Sequence, residues 1–275
     1  MLIDSQHQES TYRVSERKHG YGSHVHLLDD PYHQLLLSKF SEAQTQQPQL
    51  GEIAKSLSRF LCVQAINELF KRTTQTVQTR MAASHPEGAF EISLPRESRK
   101  AVVVDLMRAG IVPSQICYET LHDVLPAENI RQDHILLNRA TNEKGQVVGV
   151  KMSGHKIGGT FQNSLVFLPD PMGATGSSLT GVIDLLKGRE KTAGVAPLFV
   201  ALHFIVTPEY LKAVEPYAKE LQVFALRLDR GLSSPQVLKK MPGEDWKNEK
   251  GLNERDYIVP GAGGIGEVLN NSFEE

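Results

Sequence analysis

Five short apolar runs alternate with helix-length stretches between residues 101 and 229, and this alternation limits the possible folds more than any other feature of the chain. The runs are "AVVVDLM" (101–107), "DHILLNRA" (133–140), "SLVFLPD" (164–170), "PLFVALHFIV" (197–206) and "LQVFALRLD" (221–229). Most are apolar at successive positions, as strands of a parallel sheet are when both faces are covered. "SQICYETLHDVL" (114–125), "SSLTGVIDLLKGR" (177–189) and "PEYLKAVEPYA" (208–218) supply crossover helices, the second with Ser177 or Ser178 as N-cap. The pattern predicts an α/β fold: a mostly parallel, twisted sheet with helices on both faces. Ahead of it, Ile53, Leu57, Leu61, Ala65 and Leu69 recur at helical spacing and predict a long amphipathic helix over 50–72.

The remaining segments set the domain limits. Residues 1–23 are polar and poorly patterned, which predicts a flexible N-terminal arm before a single domain over 24–275. Residues 141–146 read as a turn or mobile hairpin. Residues 233–250, with two prolines and four lysines, read as an inserted surface loop. Apolar residues make up 40% of the 275, enough for a proper core, and a formal charge of −2 argues against a nucleic-acid coat. Cys62 and Cys117 are too few for a disulfide framework, so a reducing cytoplasm is expected. No apolar stretch approaches the ~18 residues that span a bilayer, and the N-terminus lacks the pattern of a secretory signal.

Binding sites in such sheets lie at the carboxyl ends of strands. Several unusual segments fall there, at 107–110, 139–146, 170–178 and 229–231, and the third lies within "FLPDPMGATGSSLTG" (167–181). A strand-to-helix corner aims free backbone N–H groups at one point, where the helix dipole favours an anion. Gly173 and Gly176 let a ligand approach the backbone, and Thr175, Ser177 and Ser178 can donate to phosphate oxygens. Asp170 would repel a bare phosphate, but it suits a ligand that also carries sugar hydroxyls or Mg²⁺. The corner therefore points to a phosphorylated sugar, with an ordinary capped turn as the alternative. "GATGSS" lacks the lysine of a P-loop, which argues against that class of ATPase.

The segment "DPMGATGSS" resembles the D-P-M-L-A-T-G-G-S stretch of uracil phosphoribosyltransferases. "LMRAG" (106–110) is similar to their L-R-A-G loop, and "DYIVPGAGGIGE" (256–267) to their Y-I-V-P-G-L-G-D-A-G-D segment. "LDRG" (228–231) and "GLNE" (251–254) resemble two halves of L-D-R-G-L-N-E, split by the insertion. The resemblance implies a type I phosphoribosyltransferase fold with a small hood from N- and C-terminal segments. It implies the reaction of uracil with phosphoribosyl pyrophosphate (PRPP), giving UMP and pyrophosphate, with Mg²⁺ bound alongside PRPP.

The resemblance also assigns residues. Met172, Gly173, Ala174, Thr175, Gly176, Ser177 and Ser178 would hold the 5′-phosphate, and Asp170 would sit beneath the ribose hydroxyls. Arg108, with Ala109 and Gly110, would face the pyrophosphate, and Arg139 would reach the PRPP phosphates. Tyr257, Ile258, Gly263, Gly264 and Ile265 would form the uracil site, with Ile258 and Gly263 reading the base through backbone groups. A homodimer or larger homo-oligomer is implied, with no nucleic-acid or membrane partner.

Departures from the family pattern fall at these same segments. Gly264 stands where the family has an aspartate, and Glu267 replaces a second one. Gly173 replaces a leucine, which predicts a looser phosphate loop. Pro169 precedes Asp170 in place of a β-branched residue, and "LNRAT" lacks the aromatic and the aspartate of the family's arm. The alternatives are the same transfer to another base, or a non-catalytic binder of PRPP or UMP. "GAGGIG" (261–266) satisfies G-x-G-x-x-G, but only nine residues follow it, too few for a dinucleotide fold. His24, His26 and His33 read as solvated polar residues, and the insertion's lysines as a soluble loop surface.

Overall fold

In a computed structural model describing residues 12–141 and 147–272, the apolar runs become the strands of one sheet. The elements follow in the order β1 (Val25–Leu27), α1 (Pro31–Ser41), α2 (Gln49–Leu69), β2 (Arg72–Gln78), β3 (Ala89–Pro95), β4 (Lys100–Met107), α3 (Ile111–Leu121), β5 (Ile130–Thr141) and β6 (Val147–Lys156). They continue with β7 (Ser164–Pro169), β8 (Met172–Gly173), α4 (Ser177–Gly188), α5 (Glu190–Ala193), β9 (Leu198–Val206), α6 (Pro208–Val214), β10 (Leu221–Leu228), α7 (Pro235–Leu238) and α8 (Ile265–Asn270).

The sheet runs β1-β10-β9-β7-β4-β5-β6, with short β8 beside β9. All pairings are parallel except β5 with β6. Alternate side chains feed two cores. Ala101, Val103, Phe167, Val200 and Phe224 pack with α1, α2 and α3. Val102, Val104, Val166, Leu168 and Val223 pack with α4 and α6. Phe167 and Val103 are fully buried, and each such side chain contributes about 1.5–3 kcal/mol. Both faces of the strands are thus apolar because both are covered.

Several boundaries differ from expectation for local reasons. α3 starts three residues early, directly after Gly110. Pro113 falls in its first turn, where the missing N–H would have had no intrahelical partner. α6 ends at Val214 and tightens into a 3₁₀ turn over Glu215–Tyr217, which contains Pro216. The N-cap of α4 is neither Ser177 nor Ser178 but Gly176, whose φ of 81° turns the chain into the helix. The turn expected at 141–146 lies, from residue 142 on, outside the described residues. β2 and β3 form a separate antiparallel hairpin that the sequence hides, because "RTTQTVQ" is polar and its β-branched threonines are the main strand signal.

The described part of the expected arm, residues 12–23, is anchored to the fold. Arg17 N–H donates to the Leu27 carbonyl and Gly20 N–H to the Pro242 carbonyl, both at 2.8 Å. Tyr21 is buried, packs edge-on against Trp246 and bonds Glu249 through its hydroxyl. The insertion at 233–250 is likewise packed. Leu232 N–H donates to the Lys250 carbonyl (3.0 Å) and Lys250 N–H to Ser233 Oγ (2.8 Å), closing its base. Glu249 is buried and pairs with Arg230 at 2.7 Å. Arm and insertion stabilise each other through the Tyr21–Trp246 contact, a long-range pairing that no local pattern reveals. His24 and His26 are buried rather than solvated, and His33 stacks on Phe60. The hood takes the form of α8 resting on the α1–α2 connection, where Gln47 Nε2 donates to the Leu269 carbonyl (2.7 Å). No described helix is long and apolar enough to cross a membrane.

Candidate active site

The carboxyl ends of β4, β7, β9 and β10 bring three loops together. The first follows β7. Its two-residue strand β8 pairs with Ile205 and Val206. The Pro171 carbonyl accepts from Phe204 and Ile205 N–H (2.9 and 3.1 Å), and Thr207 Oγ1 donates to the Ala174 carbonyl (2.6 Å). The loop is therefore stitched to the sheet before it opens into α4. Thr175 and Ser177 hydroxyls are 2.8 Å apart. The amides of Ser178 and Leu179, at the start of this twelve-residue helix, have no backbone partner among the described residues. Gly176, Ser178 and Leu179 line an open cleft with Asp170, Met172, Gly173, Ala174 and Thr175.

Gly173 does not loosen this loop. A Cβ there would come within 2.9 Å of Val206 Cγ1 and 3.1 Å of the Tyr210 ring, so Tyr210 occupies the space a side chain would need. Gly173→Ala is expected to cost about 1–3 kcal/mol in urea unfolding, and Val206→Ala in the same chain should recover part of the loss.

Beneath the loop is a buried polar chain that sequence reasoning missed. His203 Nδ1 donates to the Asp170 carbonyl (2.5 Å), so Nε2 accepts from the Tyr210 hydroxyl (2.6 Å). Burial pushes the His203 pKa down to about 4, which keeps the ring in this neutral tautomer. The only signal in the sequence was a histidine inside the apolar run "FVALHFIV". The Asp170 carboxylate accepts from Met172 N–H at 3.1 Å, and burial raises its pKa to about 6. Burial also raises Tyr210 well above its ordinary value, assisted by the charge of Asp170.

The second loop, Arg108–Ala109–Gly110, lies against the first. A Cβ on Gly110 would stand 3.0 Å from the Pro169 carbonyl and 2.7 Å from the Leu106 carbonyl, so only glycine permits this approach. The Arg108 side chain donates from Nη1 to Ser272 Oγ at 2.8 Å, which turns it toward the C-terminal segment. Arg139 lies on β5 opposite Val150; its side chain is outside the described residues.

The third segment, 251–267, is positioned by β10. Arg227 and Asp229 form a two-pronged ion pair (2.7 and 2.9 Å). Asp229 accepts from Gly261 N–H (2.7 Å), and Arg227 donates to the Gly261 carbonyl (2.9 Å). The pair thus grips both polar groups of a turn that has φ 62°. Next to it, Val259 N–H donates to Gly251 and Asn253 N–H to Tyr257, flanking the bridged pair Leu252 and Ile258. In that arrangement the N–H and C=O of Ile258 point away from Leu252, and neither has a partner among the described residues. Gly263 is exposed with open space around it. Gly264 is half-buried and opens α8, and Tyr257 is half-buried. Ile265 departs from expectation: its side chain is in the core and its N–H donates to Gly263, so it presents neither to a base. A Cβ on Gly266 would touch Ala109 at 3.8 Å, which places α8 beside the second loop.

The profile of the family described as uracil phosphoribosyltransferase matches residues 27–244. The chain is 28% identical over 250 residues to a chloroplastic uracil phosphoribosyltransferase of Arabidopsis thaliana, covering 90% of this chain and 71% of that one. It is 25% identical over 244 residues to a uracil phosphoribosyltransferase of Burkholderia multivorans, covering 88% and 93%. Among solved structures, the AQ2163 protein from Aquifex aeolicus superposes with a TM-score of 0.65 at 19% identity, covering 91% and 99%, which shows the shared fold. With its three loops assembled at one sheet edge and the family profile spanning most of its length, this chain belongs to the uracil phosphoribosyltransferase family.

Proposed function

We propose that the chain transfers the phosphoribosyl group of PRPP to N1 of uracil, giving UMP and pyrophosphate, a salvage route to the nucleotide. The observation that carries the reading is one cleft lined both by Asp170 and by the amide-rich start of α4. The 5′-phosphate would rest on the residue 172–178 backbone and the hydroxyls of Thr175, Ser177 and Ser178. Asp170, when ionised, accepts hydrogen bonds from the ribose diol. The Ile258 N–H and C=O offer the donor and acceptor that uracil's own acceptor and donor require. Arg108 exchanges its Ser272 contact for the leaving pyrophosphate, where positive charge stabilises the negative charge that develops. Arg139 is proposed for the same phosphates.

No three His, Cys, Asp or Glu side chains among the described residues cluster to hold a metal. That donor set suits Mg²⁺ arriving on substrate oxygens with Asp170 as its protein carboxylate, since Mg²⁺ usually keeps such a mixed shell. When bound it would neutralise charge on the pyrophosphate.

Purified protein given uracil, PRPP and Mg²⁺ should release pyrophosphate and form UMP; a folded sample without turnover defeats the reading. A pH profile adds a second check. Burial raises Asp170 to about 6, so kcat/KM for PRPP should fall as pH drops below 6 and level off above it. Gly264 motivates a second reading, a non-catalytic binder, which predicts PRPP or UMP binding in a calorimeter without turnover. A panel of nucleobases tests transfer to a different base. A homodimer or larger assembly is proposed on the family likeness and is checked by analytical ultracentrifugation. A cytoplasmic setting is proposed from the two unlinked buried thiols, Cys62 and Cys117.

A further inference from the structure

Glu267 folds back over the turn that opens α8. It is the third residue of that helix, and a Cβ placed on Gly264 would overlap its Oε2. Gly264 has φ −79°, so its backbone makes no demand for glycine. The absent side chain leaves room, and the Glu267 carboxylate takes that room. The turn it covers adjoins two segments of the proposed reaction centre. Gly266 bears on Ala109, in the loop of Arg108. The segment leading into the turn carries the unpaired backbone of Ile258. A glutamate at this helical position can cap by accepting from the N-cap amide. Here the Gly264 N–H makes no such bond, and the carboxylate accepts none from any described residue.

We propose that Glu267 is the carboxylate that takes the N1 proton of the base. As the N1–C1′ bond forms, the C1′–O bond to pyrophosphate breaks and its electron pair leaves on the pyrophosphate oxygen. The N1–H pair stays on nitrogen, and the proton passes to a Glu267 oxygen. The inference rests on the phosphoribosyl transfer to uracil proposed above, and it removes the main ground for reading Gly264 as the mark of a non-catalytic binder. The turn lacks a carboxylate in its sequence but has one in space.

The test uses the full chain with PRPP, uracil and Mg²⁺, and the variants E267Q, G264A, G264A/E267Q and G264D/E267Q. E267Q preserves shape and can still cap, so a capping role alone predicts near-normal kinetics. The proposal predicts a fall in kcat of about 10²-fold, with KM and calorimetric Kd for PRPP within about twofold of the parent chain. G264A places a methyl group where the carboxylate lies and should cause a comparable fall. The double variant G264A/E267Q should lose no more than E267Q alone, since both changes remove one group. G264D/E267Q, which puts a carboxylate back on the turn, should recover most of kcat. Parental kcat in E267Q, or losses that multiply in the double variant, overturn the proposal while leaving the proposed reaction intact. An unsubstituted chain that binds PRPP but releases no pyrophosphate overturns both the reaction and the proton transfer, and one that binds no PRPP overturns the ligand assignment as well.

Discussion

Asp170→Asn is expected to lower kcat/KM for PRPP by about 10²–10³-fold while leaving Tm at pH 8 unchanged or higher. The two halves of this result have separate causes. The carboxylate is the acceptor for the ribose diol in the proposed complex, and hydrogen bonds to a charged acceptor are roughly twice as strong as neutral ones. Asparagine keeps the shape and one acceptor oxygen, so it can still receive Met172 N–H, which is 3.1 Å from the present carboxylate. It loses the charge and one acceptor. Stability moves the other way. Burial lifts the Asp170 pKa to about 6, so its contribution to stability is present below the usual carboxylate range and is lost as pH rises through about 6. At pH 8 the folded chain bears the cost of a buried charge, and asparagine removes it. The His203 bond to the Asp170 carbonyl involves backbone and survives the substitution. Initial-rate kinetics with varied PRPP, beside a thermal melt, decide the matter. Unchanged kinetics remove Asp170 from the site, and a large loss of Tm shows that its role is structural.

What sequence alone could convey differs between fold and site. The strands were legible because Val102–Val104 and Leu165–Phe167 are apolar on both faces, which few environments other than a covered parallel sheet require. The phosphate loop was legible because glycine, hydroxyl and carboxylate residues are local and contiguous over 170–178. Contacts between residues far apart in sequence were not. Tyr210 beneath Gly173, thirty-odd positions away, turns an apparent loosening into tight packing. Tyr21 and Trp246 hold the arm and the insertion together across more than 200 residues, so both looked like loose polar chain. The motif places Ile265 with the base by position alone, yet helical geometry turns its side chain into the core beside Leu269. The sequence marks Asp229 as part of the motif "LDRG", but nothing local shows that it pairs with Arg227 and that together they fix the turn at Gly261.

That pair carries the second large effect. Asp229→Ala is expected to destabilise the chain by about 3–5 kcal/mol, the usual cost of removing one partner from a buried ion pair, and to lower Tm by roughly 10 °C. Asp229 is almost wholly buried, while Arg227 keeps about a quarter of its side chain exposed (24%). The stranded guanidinium can therefore reach water in part, which favours the lower end of that range. The change also leaves the Gly261 N–H without the acceptor it now has at 2.7 Å. The turn after Ile258 then loses its anchor, and the backbone edge proposed to read uracil is no longer held in place. KM for uracil should rise at least about tenfold. KM for PRPP should change little, because the phosphate loop is tied independently through β8 and Thr207. Asp229→Asn separates the two contributions. It retains an oxygen for Gly261 N–H while losing the charge that pairs with Arg227, so its uracil KM should lie nearer the parent chain than its Tm does. If Asp229→Ala raised both KM values equally, the base segment and the phosphate loop would be one mechanical unit, and the independent positioning argued here would be wrong.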